Sequence, residues 1–253
     1  MSSALPIPPK FDQLLIRSGF PRKNAERVGT AGTVMDIESR KIPSHEVTYA
    51  RLRDMILFGK LEPGAAVTIQ GLVADLEAGM TPVREAIRRL CAEGALEAQG
   101  NRRVCVPKMT REMLEQIAFA RLTIEPHLAE LATRHLTEQS IAELERIDGT
   151  IDAAISAGDV SGYLEANHAF HFYLYEAAEA PVLVDLARMM WLRFGPSLRV
   201  VCAQNGREAL PDRHHDAIAA MRAGNAIALR QALASDIQQG NDQVRAALAM
   251  GEI

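Results

Sequence analysis

The chain has 253 residues, 48% of them apolar and 24% charged, with a net charge of −4. That length buries a sizeable core in one large or two modest domains, and the composition excludes a disordered or fibrous chain. The opening stretch MSSALPIPPK lacks an apolar h-region, and no run approaches the roughly 18 apolar residues of a membrane span, so neither a secretory signal nor a membrane helix is expected. Cys91, Cys105 and Cys202 are few, odd in number and far apart, which argues against a disulfide framework or a zinc ribbon and for a reducing, cytoplasmic setting.

Charge is unevenly spread. Residues 1–108 hold 16 Lys/Arg and 12 Asp/Glu, a net +4, and residues 109–253 hold 12 and 20, a net −8. A basic front and an acidic back suggest two modules with different partners.

Residues 1–43 carry PIPP, SGFPRKN and GTAGT, turn-rich pieces that make a poor core. They read as an N-terminal extension, with FDQLLIRSG as one short helix, ordered on a partner. Residues 44–108 have a sharper pattern. HEVTYARLRDMILFGKLEPG sets Tyr49, Leu52, Met55 and Ile56 at helical spacing, with Gly59 suited to the C′ position. TIQGLVADLEAG offers Leu72, Val73 and Leu76 as the inner face of a second helix. TPVREAIRRL predicts a third, capped by Thr81, with Pro82 first inside it and Val83, Ile87 and Leu90 facing inward. ALEAQGNRRVCVPKM reads as a hairpin turning at Gly100-Asn101. Three helices and a hairpin make a winged helix-turn-helix.

Residues 109–253 are predicted helical throughout. The first helix is capped by Thr110 and kinked at Pro126, the second ends near Gly158, and the last two meet at Gly224-Asn225. Six antiparallel helices with short loops make an all-α bundle, so the fold class is mainly α: a winged helix-turn-helix followed by an antiparallel helical bundle.

The chemistry concentrates in two places. Thr81, Arg84 and Arg88 put a hydroxyl, exposed backbone N–H groups and long cations at the start of the third helix, which is what phosphate and guanine edges require. Arg102 and Arg103 at the hairpin tip are placed to follow the backbone or the minor groove, and Arg51 or Arg53 on the first helix to reach a flanking phosphate. On charge alone, a solvated face beside Glu85 and Glu93 is the competing reading. In the bundle, His171 lies four residues after Asn167, His214 opens the penultimate helix, and Asp236 follows 22 residues later on its antiparallel neighbour. Asn167, His171, His214 and Asp236 can thus converge on one divalent cation. Two nitrogens and two oxygens suit Zn²⁺, Ni²⁺ or Mn²⁺. His215 is the alternative to His214, and core or solvent-facing imidazoles are the alternative to a metal.

LRDMILFGKLEPG, TIQGLVADL, TPVREAIRRLCAEGALE and GNRRVCVP together resemble the DNA-binding half of GntR-type bacterial transcription regulators. The remainder, including IAFARLTIEPHLAELA and ANHAFHFYLYEAA, resembles the effector domain of their FadR-like (FCD) branch, and the resemblance spans roughly residues 46–245. It implies a homodimer on a palindromic double-stranded operator, released or reset when a small molecule binds the helical domain. It also implies a metal site on the four residues above, with Asn167 where Asp is commoner and Asp236 where a third histidine is expected. A carboxylate effector would then complete the coordination, with Arg121 as a second clamp unless it pairs with Glu125 four residues on. The chain departs from the family pattern at Glu77, where Gly is usual, and at Gly79-Met80, where a Ser-Arg pair is usual. Seven Lys/Arg against four Asp/Glu in the extension would offset the missing arginine.

A second class of function fits the order His171, His214-His215-Asp216, Asp236: a helical metal-dependent phosphohydrolase of the HD type, which would activate water. That reading leaves TPVREAIRRL and the hairpin unexplained. No nucleophile elbow, Gly-rich phosphate loop or Cys-His pair appears, so the chain is expected not to be an enzyme.

Overall fold

The structure is a computed structural model that describes residues 44–100, 103–205 and 213–253. The extension expected over 1–43, Arg102, and the start of the penultimate helix before residue 213 lie outside the described residues.

Helix α1 (Ser44–Leu57) buries Leu52, Ile56 and Leu57. It ends where Gly59 takes φ +66°, letting its N–H return to the Ile56 carbonyl at 2.9 Å. Thr68 caps α2 (Ile69–Asp75) by accepting from the Gly71 N–H at 2.9 Å. Leu72 and Leu76 then face inward. Helix α3 (Met80–Ala92) buries Val83, Ala86, Ile87 and Leu90, the i, i+3, i+4, i+7 stripe expected of an amphipathic helix.

Two local expectations are corrected here. Thr81 is not the cap of α3: Gly79 occupies that position without a side-chain bond, which puts Thr81 second and Pro82 third in the helix. Pro82 is tolerated because first-turn N–H groups have no intrahelical acceptor. The hairpin also gains a third strand. β2 (Glu97–Gln99) and β3 (Arg103–Cys105) pair antiparallel, and β3 pairs again with β1 (Val67–Thr68), in the order β1-β3-β2.

Residues 111–250 supply six helices among the described residues: α4 (Arg111–Ala132), α5 (Glu138–Ala157), α6 (Val160–Glu176), α7 (Pro181–Asn205), α8 (His214–Arg222) and α9 (Ala226–Met250). Their ends follow local chemistry. Thr110, Thr137, Asp159 and Asn225 each accept a backbone N–H at the N-terminus of α4, α5, α6 and α9, and Gly158 ends α5 at φ +70°. Helix α4 continues through the buried Pro126. It runs antiparallel along α9, fastened by Glu115–Arg245 at 2.9 Å and Glu130–Arg230 at 2.6 Å. All three cysteines are free. No helix of the described residues is long and apolar enough to cross a membrane.

One hydrophobic core runs through both regions, with Leu52, Ile56 and Leu90 in the same cluster as Phe172 and Trp191. At its centre α7 lies against the end of α1, so close that a Cβ on Gly195 would sit 2.3 Å from the Leu57 carbonyl oxygen. Gly195→Ala is therefore expected to cost about 1–3 kcal/mol by overpacking, despite alanine's better helix propensity. Gly149→Ala, in α5 with nothing within 4 Å of the added carbon, is expected to gain about 0.5–1 kcal/mol. Denaturant melts of the two variants check the contrast. Glu77 sits at φ +48°, a left-handed conformation natural to glycine, so the same melts should show Glu77→Gly stabilising by up to about 1 kcal/mol.

Candidate nucleic-acid interface and metal centre

Burying one stripe of α3 leaves Thr81, Arg84 and Arg88 exposed on the opposite face. Arg84 forms no ion pair among the described residues. Arg88 meets Glu85 at 3.0 Å with both side chains more than half exposed. Arg103 is exposed on β3.

The cations of α1 each have a partner within the fold. Arg51 donates Nη1 to the carbonyl of Leu76, the last residue of the α2 turn, at 2.8 Å, so it ties two helices together. Arg53 pairs with Asp54 at 2.8 Å and is two-thirds buried. It lies toward the bundle, where burial first and the Arg53 charge second push His168 down to about 3. Arg89 serves the fold as well. Its guanidinium lies 3.7 Å over the Tyr49 ring and bonds Glu93 at 3.1 Å, while Tyr49 O–H donates to the same carboxylate.

The second site lies inside the helical region. Glu125 on α4 is fully buried. Its carboxylate accepts from Arg121 Nε at 2.6 Å, Tyr175 O–H at 2.8 Å and Trp191 Nε1 at 2.9 Å. Of the two expectations for Arg121, the pairing with Glu125 is present: its guanidinium is held by that carboxylate and lies over Trp191 and Phe194, while the residue also lines the cavity described below.

This carboxylate decides the chemistry of His171. Burial, with the Glu125 charge added, holds the Tyr175 phenol well above its ordinary range, so its single proton stays on oxygen and goes to Glu125. The Tyr175 oxygen can then only accept from His171 Nδ1, 2.9 Å away, which makes Nδ1 the protonated nitrogen. Nε2 faces Asp236 Oδ2 at 3.2 Å. Burial keeps the imidazole neutral by pushing its pKa down, against the pull of Asp236. A nitrogen lone pair and a carboxylate at this distance are two donors that a shared cation would satisfy.

His214, at the start of α8, repeats the arrangement. Its Nδ1 lies 3.2 Å from the buried Asp148 carboxylate, and its Nε2 lies 4.0 Å from Asp236 Oδ1. Phe170 stacks on the ring at 4.2 Å. One donor atom from each of His171, His214 and Asp236 falls within 4.8 Å of the other two. Each imidazole is oriented by an oxygen on its far nitrogen, as metal-binding histidines usually are. Asn167 is buried one turn before His171 and lines the same cavity. That cavity, of about 50 Å³, exceeds the space of a single water. Arg213 and Gln239 reach it with a buried Nε and a buried Oε1 that have no hydrogen-bond partner among the described residues.

Residues 45–106 match the family model for bacterial regulatory proteins of the gntR family, and residues 116–239 match the FCD domain. The chain is 30% identical over 191 residues to the HTH-type transcriptional regulator McbR of Escherichia coli K12, covering 74% of this chain and 86% of that protein. The solved structure of E. coli McbR/YncC superposes with a TM-score of 0.78 at 26% identity, covering 82% of this chain and all of that one. The chain belongs to the GntR family. It is a transcription regulator of the GntR/FCD type. The HTH-type transcriptional repressor RspR of E. coli K12 is a further relative, 22% identical over 222 residues, 83% of this chain and 94% of that protein.

In this GntR regulator the phosphohydrolase reading loses its geometry. His215 is exposed, and Asp216 is exposed beside Arg213 at 3.8 Å, so the adjacent His-Asp pair does not turn inward with His171, His214 and Asp236. Sequence reasoning named Glu125 as a partner of Arg121 but missed Asp148, Tyr175 and Arg213. Of these only Tyr175, four residues after His171, and Arg213, immediately before His214, carried a local signal. If the paired histidines hold a cation, calorimetry should show Zn²⁺ affinity falling about 10–100-fold in Asp148→Asn, which leaves every direct ligand in place. Histidines that were merely core would give no Zn²⁺ uptake in either protein.

Proposed function

We propose that this GntR regulator is a repressor that binds a palindromic operator as a homodimer and is released or reset by a small organic acid. On this reading residues 44–108 meet the DNA, and residues 109–253 sense the effector and dimerise. The observation that carries the sensing half is the convergence of His171 Nε2, His214 Nε2 and the Asp236 carboxylate beneath a cavity that also presents Asn167.

These donors fit a divalent cation such as Zn²⁺, Ni²⁺ or Mn²⁺. Bound there, the cation would supply a Lewis-acid anchor for a carboxylate. The protein's own groups do the rest. Tyr175 and Asp148 hold the two imidazoles in the tautomer that turns Nε2 inward. Trp191 and Phe194 wall the cavity and exclude water. Arg213 joins Arg121, which is already held by Glu125, as a cation on the cavity available to the anion, and Gln239 Oε1 is an acceptor suited to a hydroxyl on it.

The DNA half is supported by the exposed cations of α3. Arg84 is available for phosphate or a guanine edge. The Arg88–Glu85 pair is exposed and so weakly held, worth under about 1 kcal/mol, that a phosphate can replace Glu85. Met80, exposed at the first position of α3, offers apolar contact and no hydrogen-bond donor. Binding to a DNA fragment from the gene's own upstream region tests the reading. Arg84→Glu with Arg88→Glu should weaken it by about 100-fold or more, and Arg84→Ala should flatten the log–log salt slope by about 1. Unchanged affinity in the charge-reversed protein removes α3 from the DNA.

A further inference from the structure

We propose that Arg193 of α7 is the positioning residue through which the state of the cavity reaches the recognition helix α3. The proposal rests on the reading of that cavity as the effector site.

Helix α7 belongs to both sites. Trp191, Phe194 and Leu198 wall the cavity. Between the first two, Arg193 reaches out of the bundle and donates Nε at 3.0 Å and Nη2 at 2.8 Å to the carbonyl of Glu93. Glu93 is the C-cap of α3. The last carbonyls of a helix lack intrahelical donors and carry its negative end, so a guanidinium fork satisfies both needs at once. The Glu93 side chain meanwhile holds Tyr49 of α1 and Arg89 of α3. Arg193 therefore grips the residue that locks these two helices together.

The grip is a close one. Gly94 has φ +72°, and a Cβ there would stand 2.3 Å from Arg193 Nη2. Two residues along α7, Gly195 lets the helix touch the Leu57 carbonyl oxygen, and a Cβ on Gly59 would stand 2.3 Å from the Arg199 stem. Contacts packed this closely pass a displacement on rather than absorb it. A group that pushes Trp191 or Phe194 moves the Cα of Arg193, and with it the C-terminal end of α3. Arg193 is thus the hydrogen-bonded link between a wall of the cavity and the helix whose other end carries Arg84.

The cavity can be filled without a ligand. Gly240→Met adds a side chain where the nearest neighbour of the new Cβ is Phe194 Cζ at 4.0 Å, and Ile155→Phe enlarges another wall residue. Operator affinity of the full-length chain is read by fluorescence anisotropy on a duplex selected from a random pool by the wild type. Helical circular dichroism confirms folding of each variant. Each filling substitution is expected to shift the operator Kd by about 5-fold or more when Arg193 is present. In an Arg193→Gln background the shift should shrink to within about 2-fold of none, and Arg193→Lys, which keeps the charge and one donor, should recover part of it. Zn²⁺ addition serves as a third perturbation on the same backgrounds. A filling shift that survives unchanged in Arg193→Gln overturns the proposal, as does a folded filling variant with wild-type operator affinity. Zn²⁺ calorimetry on the wild type reports separately on the metal. Coupling without Zn²⁺ uptake removes the cation and leaves the α7 link standing, whereas Zn²⁺ uptake without coupling does the reverse.

Discussion

A carboxylate with no exposure, Glu125, dictates the arrangement of the helical region. An ionised group taken out of water without partners costs more than the whole stability margin of a typical domain. Its partners come from three helices: Arg121 from its own α4, Tyr175 from α6 and Trp191 from α7. Each of these side chains is thereby held in one rotamer. The consequence follows by counting protons. Tyr175 has one, and Glu125 takes it. His171 must then donate through Nδ1, and its other nitrogen must turn a lone pair toward Asp236. The capacity for a cation is thus inherited from a structural requirement two hydrogen bonds away. The same bonds fix Trp191 as a wall of the cavity, so the groups that would sense an effector and the groups that hold the fold together are the same side chains.

The DNA-facing half follows the opposite rule. Its cations are sorted by whether the fold consumes them. Arg51 goes to a helix end, Arg53 to Asp54 near the bundle, and Arg89 to Tyr49 and Glu93. What remains exposed and not tied into the fold among the described residues is Arg84 and the loosely paired Arg88, both on the face of α3 opposite its buried stripe, with Arg103 on β3. A regulator with a net charge of −4 needs no basic surface overall. On the proposed reading, a few cations left unspent on one helix face, with the apolar face behind them seated in the core, would be enough.

How much of this was legible in the sequence depended on range. Helix ends set by one hydroxyl or one glycine could be read directly, as at Thr110, Gly158 and Asn225, because the cap and its partner lie within a few residues. The inner face of α3 was legible for the same reason. The start of α3 was misplaced because Gly79, which has no side chain to announce it, does the work expected of Thr81. Strand β1 was missed because two residues are a strand only through their pairing with Val104 and Arg103. For Arg51 and Arg53 a helical wheel gives the face but not the partner. In the bundle, helical spacing and antiparallel order brought His171, His214 and Asp236 within reach. The groups that orient the imidazoles depended on contacts no local pattern encodes: Tyr175 meets Glu125 across 50 residues and His214 meets Asp148 across 66.

The charge asymmetry of the chain suggests two modules with different partners, and the packing joins them through one hydrophobic core. Leu52, Ile56 and Leu90 of the winged helix-turn-helix lie in one hydrophobic cluster with Phe172 and Trp191 of the bundle. Phe58, just past the end of α1, meets His168 edge-on at 5.7 Å, and His168 in turn meets Trp191 at 5.4 Å. The covalent connection around Lys108 is therefore the long way between the two sites, and the short way is lateral, across α7. A helix that must present Gly195 to the Leu57 carbonyl has no freedom to slide without taking α1 with it. In such an arrangement, on the reading proposed above, an effector would not need to loosen a linker or unfold a segment. Occupancy of a cavity a few waters in size would then act through α7, the cavity wall whose Arg193 and Gly195 are in contact with Glu93 and Leu57 of the helices that seat α3.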